Sequence, residues 1–104
     1  MGFRRAAKVD LNQPQVVKEL RSLGYRVDIV SQVKKLYDLV VTGRITGTND
    51  IRTVRVELKS EGGTLTPDEI SYHTSEPYPE TLLIAFSTED VLEWFHKPYL
   101  IKKQ

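Results

Sequence analysis

The sequence predicts an α/β fold with the element order αβββαβα, and three observations carry that prediction. An apolar stripe at helical spacing (Val16, Val17, Leu20, Leu23) is followed by three short segments with strand patterning. Two later helix openings, at Thr66-Pro67-Asp68-Glu69 and Ser87-Thr88-Glu89-Asp90, enclose one further strand-like run. Turn residues separate every one of these segments, and no internal repeat or long linker interrupts them.

In order, residues 1–8 read as a short basic arm with Arg4, Arg5 and Lys8. Pro14 suits a first helical position and Gly24 a stop, so the first helix is expected over residues 14–23. Tyr25 to Val30 alternates as a half-buried strand. Leu36 to Thr42 forms a second strand through Leu39-Val40-Val41, and residues 43–52 a hairpin loop. Thr53 to Lys59 makes the third strand. Val54, Val56 and Leu58 share one face of it; Arg55, Glu57 and Lys59 share the other. Thr66 is the N-cap of the second helix, with Pro67 at N1 and Glu69 at N3 completing a capping box. Thr81 to Phe86 is the fourth strand. The last helix buries Val91, Leu92, Trp94 and Phe95 and is expected to end at Pro98, leaving residues 98–104 as a loose tail. Short turns make the first three strands an antiparallel meander, and a right-handed helical crossover sets the fourth parallel to the third. The result expected is a four-stranded mixed sheet flanked by helices, with residues 1–104 as one domain.

Composition narrows the function classes. The absence of cysteine excludes disulfides and thiolate metal sites and fits a reducing cytoplasm. No run approaches the length of a membrane span, and Met1 to Lys8 lacks the apolar core of a signal peptide. The net charge of +1 conceals an asymmetry: residues 1–59 carry 12 Lys/Arg against 6 Asp/Glu, and residues 60–104 carry 3 against 8. A basic half beside an acidic half points to a polyanionic partner.

Asp38, Glu57 and Lys59 stand out chemically. Asp38 begins an apolar strand, and Glu57 and Lys59 share a face of the next, so hairpin pairing brings the three together. Two carboxylates there suit a hard cation such as Mg²⁺ or Mn²⁺, which lowers the pKa of water near a scissile phosphate. Lys59 beside them stabilises the added negative charge. Alternating charge on a strand also marks a solvated edge; the flanking helices and the strand-start Asp favour chemistry.

The segments Asp10-Leu11-Asn12-Gln13-Pro14-Gln15, Asp38-Leu39-Val40-Val41, Val56-Glu57-Leu58-Lys59 and Leu65-Thr66-Pro67-Asp68-Glu69 occur in an order that resembles the VRR-NUC and Holliday-junction-resolvase branches of the PD-(D/E)xK nucleases. The resemblance, over Lys8 to Phe95, implies a restriction-endonuclease-like fold and phosphodiester hydrolysis dependent on Mg²⁺ or Mn²⁺. It implies Asp38, Glu57 and the Leu58 carbonyl as metal ligands and Lys59 beside the nucleophile. Many relatives carry Glu where Gln15 stands, which places Gln15 at the site and puts a two-metal mechanism in question; Tyr37 replaces a frequent Pro. Relatives often carry Gln at the position of Glu69, although the capping box accounts for Glu69 by itself. His73 and His96 read as structural, and Trp94 and Phe95 as core or, for one of them, a dimer contact. Arg4, Arg5, Lys8, Lys34, Lys35, Arg44, Arg52 and Arg55 are the expected contacts to DNA phosphates. The function expected is a homodimeric DNA endonuclease favouring a four-way junction. Flap, nick or site-specific cleavage, or a non-catalytic binding module on the same fold, are the alternatives.

Overall fold

A computed structural model describes residues 8–31, 37–60 and 63–101. Arg4, Arg5, Lys34 and Lys35 lie outside those residues, as does the side chain of Lys8. Among the described residues the order is α1 (Lys8–Ser22), β1 (Arg26–Ile29), β2 (Leu39–Arg44), β3 (Ile51–Leu58), α2 (Pro67–Ser75), a 3-10 turn (Pro79–Thr81), β4 (Leu82–Ala85) and α3 (Thr88–Ile101). The strands form one sheet in sequence order, antiparallel between β1, β2 and β3 and parallel between β3 and β4. The chain is therefore α/β with a mixed sheet, as expected.

Local chemistry explains most boundaries. α1 ends in a Schellman motif: Tyr25 N–H donates to the Leu20 carbonyl and Gly24 N–H to that of Arg21. The motif needs a left-handed residue after the helix, and Gly24 supplies it at φ +97°. α2 carries the capping box complete, with Glu69 N–H donating to Thr66 Oγ1 at 3.2 Å and Thr66 N–H to Glu69 Oε1 at 2.8 Å. At the start of α3, Asp90 N–H donates to Ser87 Oγ and Phe86 N–H to Asp90 Oδ2.

Both helix-limiting prolines behave differently from expectation. α1 begins at Lys8, so Pro14 lies inside it. Its ring is exposed, so its bulk is directed away from the core even though it cannot donate to the carbonyl four residues earlier. Pro98 does not end α3, which continues to Ile101. Near it, the Phe95 carbonyl accepts from Thr46 N–H of the β2–β3 turn at 3.2 Å. That turn is also shorter than the predicted loop, because Gly43, Arg44, Ile51 and Arg52 pair as strand. Gly43 is required within β2 by close approach: an added Cβ would lie 2.2 Å from the Tyr25 ring.

Val54, Val56 and Leu58 turn the inner face of β3 toward Val16, Val17 and Leu20 of α1 and Val91 and Phe95 of α3, with Val27, Leu39, Val41 and Ala85 from the other strands. Ile45, in the turn, is fully buried in the same core. Glu19 of α1 accepts from the Thr88 hydroxyl and ties the two helices together. Phe95 packs at 4.8 Å from both Tyr25 and Trp94, and the Trp94 indole N–H donates to the Glu80 carbonyl, so both rings serve the interior. α2 covers the opposite face of the sheet, onto which Arg55, Glu57 and Lys59 project. No helix among the described residues is long and apolar enough to cross a membrane.

Candidate active site

The site lies where β3 ends and the crossover to α2 begins, the end of a parallel strand pair at which ligands commonly bind. Asp38 precedes β2, and continuing the β2–β3 register from Leu39↔Val56 sets it opposite Glu57. Its backbone N–H donates to the Val56 carbonyl at 2.8 Å, and its carboxylate Oδ2 accepts from Leu58 N–H at 2.9 Å. Asp38 is thus fastened to β3 at both ends. Lys59 N–H donates to the Ala85 carbonyl of β4 at 3.0 Å, which extends the parallel pair beyond β3 and fixes the Lys59 backbone.

The Lys59 ammonium bridges two carboxylates, 3.2 Å from Glu57 Oε2 and 3.1 Å from Glu69 Oε1. Glu57 and Glu69 are both buried. Two carboxylates therefore share one ammonium, with the charge of Asp38 added nearby, and the surplus negative charge shows in their protonation. Burial, followed by the charges of Asp38 and Glu69, pushes the Glu57 pKa up to about 7 despite the bond from Lys59. Burial also raises Asp38, against the opposing pull of Leu58 N–H and Lys59. Burial alone would lower Lys59, but its bonds to Glu69 and Glu57 outweigh that and hold it above the usual lysine value. Glu69 is likewise drawn up by burial, yet the Thr66 N–H and Lys59 win and keep it below the usual carboxylate value. Asp38 and Glu57 are hard oxygen donors carrying charge that a divalent cation would relieve, so they fit such an ion. Among the described residues, no three His, Asp or Glu side chains are already gathered as a complete metal cage.

Two expected site residues lie elsewhere. Gln15 is on the exposed side of α1, where its amide donates to Glu19 at 2.7 Å, an i,i+4 pair away from the sheet. Gln13 instead continues the inward stripe of Val16, Val17 and Leu20; it is half-buried and donates to Ser31 Oγ at 3.4 Å. The i, i+3, i+4 spacing carried that signal in the sequence. Arg55 is the second correction. Its guanidinium bonds Glu76 at 2.8 Å, Thr81 Oγ1 at 2.7 Å and the Tyr72 hydroxyl, and is engaged inside the fold rather than presented to phosphates.

Arg44 and Arg52 are exposed, Arg44 donating to Asn49 at 3.4 Å. They mark the far end of the hairpin, with Arg44 about 20 Å along β2 from Asp38 at the usual rise per residue. His73, one turn past Glu69 on α2, has a buried Nε2 with no hydrogen-bond partner among the described residues, and burial lowers its pKa. The residues around Glu69 account for it as a cap, and the family resemblance sets a Gln of the relatives at its position; its second bond, to Lys59, depends on how α2 lies on the sheet. Compared with known proteins, the chain matches no family model, no curated protein and no solved structure.

Proposed function

We propose that the chain is a metal-dependent DNA endonuclease on a restriction-endonuclease-like fold. The observation that supports this best is the convergence of Asp38, Glu57 and Lys59 on one sheet end, with a buried carboxylate surplus around a fixed ammonium. Asp38 and Glu57, joined by the Leu58 carbonyl, would hold Mg²⁺ or Mn²⁺. Bound there, the ion supplies charge neutralisation and a lowered pKa for water at the phosphate. The protein's own groups do the rest. Leu58 N–H fixes one oxygen of Asp38. Glu57, pushed up to about 7 by burial and its carboxylate neighbours, would ionise fully on holding the cation, which relieves that charge. Lys59, kept protonated and aimed by two carboxylates, stabilises the negative charge that builds on the pentavalent phosphate. Because Glu69 sustains that proton, Lys59 acts as a cation rather than as a base.

The substrate we propose is branched DNA, cut by a homodimer in the cytoplasm. A junction needs two symmetric cuts and each chain offers one site, so a two-fold pair suits the task. A non-catalytic binding module is the second reading, favoured by Gln15 facing Glu19 and by the lack of a complete cage among the described residues.

Labelled duplex, flap and four-way-junction DNA incubated with Mg²⁺, Mn²⁺ or EDTA decides between them. Cleavage should require the ion and fall by at least about a hundredfold in Asp38→Asn, Glu57→Gln and Lys59→Ala, the loss typical of removing one electrostatic stabiliser. Undiminished cutting by Asp38→Asn, or in EDTA, overturns the nuclease reading. Binding without cutting under every condition supports the module. Light scattering tests the dimer.

A further inference from the structure

Beside the carboxylate cluster stands an aromatic pair that the proposed chemistry leaves unused. Tyr37 immediately precedes Asp38, and Tyr72 lies one turn beyond Glu69 on α2, so both rings border the same end of the sheet. Their centroids are 6.1 Å apart with planes 29° from parallel. The Arg55 guanidinium lies 5.9 Å from the Tyr37 centroid and 5.8 Å from that of Tyr72. Its Nη1 donates to both the Tyr72 hydroxyl and Glu76, while Nη2 donates to Thr81 Oγ1. The two rings are thus fixed in near-parallel orientation by a cation that is itself immobilised. Both are only half-buried, and they stand on the face of the sheet opposite the apolar core.

A rigid aromatic face of this kind stacks any nucleobase, because every base presents a π-surface. A base inside a duplex is already stacked on its neighbours, so only an unpaired one is free to use it. We propose that Tyr37 and Tyr72 form a stacking platform for an unpaired nucleobase beside the Asp38–Glu57–Lys59 cluster. The inference rests on reading that cluster as a nuclease site, and it narrows the substrate to a strand unpaired next to the cut.

The test is binding of a short single-stranded DNA containing 2-aminopurine, whose fluorescence is quenched on stacking, in Ca²⁺ and in comparison with a fully paired duplex. The native protein and Tyr37→Phe should quench the probe. Tyr37→Leu should abolish the quenching and weaken single-strand binding by roughly tenfold, the loss expected for one stacked base. Duplex binding should change little. A native complex in which the probe stays as bright as in free solution overturns the platform, whatever the fold of the variants. So does Tyr37→Leu that keeps the native circular dichroism and binds the single strand undiminished, or a native protein with no affinity for single strands. Cleavage is scored separately in Mg²⁺. Quenching without cleavage leaves the platform standing and removes the nuclease; cleavage without quenching does the reverse.

Discussion

At neutral pH the Glu57 carboxyl lies near its titration midpoint, because burial and the charges of Asp38 and Glu69 outweigh the bond from Lys59. Its raised pKa makes the native state pay for ionisation. Below the ordinary value of 4.5 both folded and unfolded chains are protonated there and Glu57 contributes nothing to the pH dependence. Between 4.5 and about 7 the unfolded chain releases a proton that the native one retains, so stability falls as pH rises. Above that window the penalty is complete, at most about 3 kcal/mol. Glu57→Gln removes it while Lys59 keeps Glu69 as a partner. In EDTA, the variant's gain in thermal midpoint should be larger at about pH 8 than at about pH 5; an equal displacement at both contradicts the raised pKa. A second residue-scale expectation concerns α1. Gln15→Glu places a carboxylate beside Glu19 on the exposed side, away from the cluster. It should leave Mn²⁺ affinity unchanged and cost about 0.2–0.5 kcal/mol through i,i+4 repulsion. Calorimetric titration and thermal denaturation read the two effects, and tighter Mn²⁺ binding by Gln15→Glu would return that residue to the site.

Among the elements, α2 is the one whose placement matters most for the site, since it delivers Glu69 to Lys59 and Tyr72 to Arg55. Its start is set locally by the Thr66–Glu69 capping box. Its seat on the sheet is set by Arg55, which reaches from β3 to Tyr72 in α2, to Glu76 just past it and to Thr81 ahead of β4. One guanidinium therefore joins the C-terminal part of α2 and the end of the crossover to the strand it leaves. Arg55→Ala should lower stability by about 2 kcal/mol, the scale of hydrogen bonds to a charged group that leave partners unpaired. Arg55→Lys should recover less than half of the loss, because an ammonium cannot reproduce a planar fork. Urea denaturation measures both. A cost of only a few tenths, as for a surface ion pair, would show that something else seats α2.

Over the whole molecule, basic and acidic character are separated along the chain, and the fold puts the exposed Arg44 and Arg52 at the opposite end of the hairpin from Asp38 and Glu57. A DNA strand running along the hairpin would meet positive charge at one end and the proposed cleavage cluster at the other. Binding should weaken steeply with salt, and Arg44→Ala and Arg52→Ala should each reduce the slope of log affinity against log salt by about 0.9 if each residue neutralises one phosphate. Arg55→Ala should leave the slope alone, since its charge is spent internally. Fluorescence anisotropy over a salt series separates the two cases, and an unchanged slope in the hairpin variants would place the DNA elsewhere. What the amino-acid order determined by itself is whatever depends on neighbours a few residues apart. The succession of elements, the helix stop at Gly24, the cap at Thr66 and the common face of Glu57 and Lys59 all belong to that class, because caps and strand alternation are short-range. Tertiary structure alone decided the rest. It drew Arg55 from the surface into a clamp, gave Glu69 its second bond, and made Gly43 a strand residue beneath Tyr25. Each of these depends on which elements meet across the sheet, and that is settled by the burial of one shared core, which no local pattern of residues encodes.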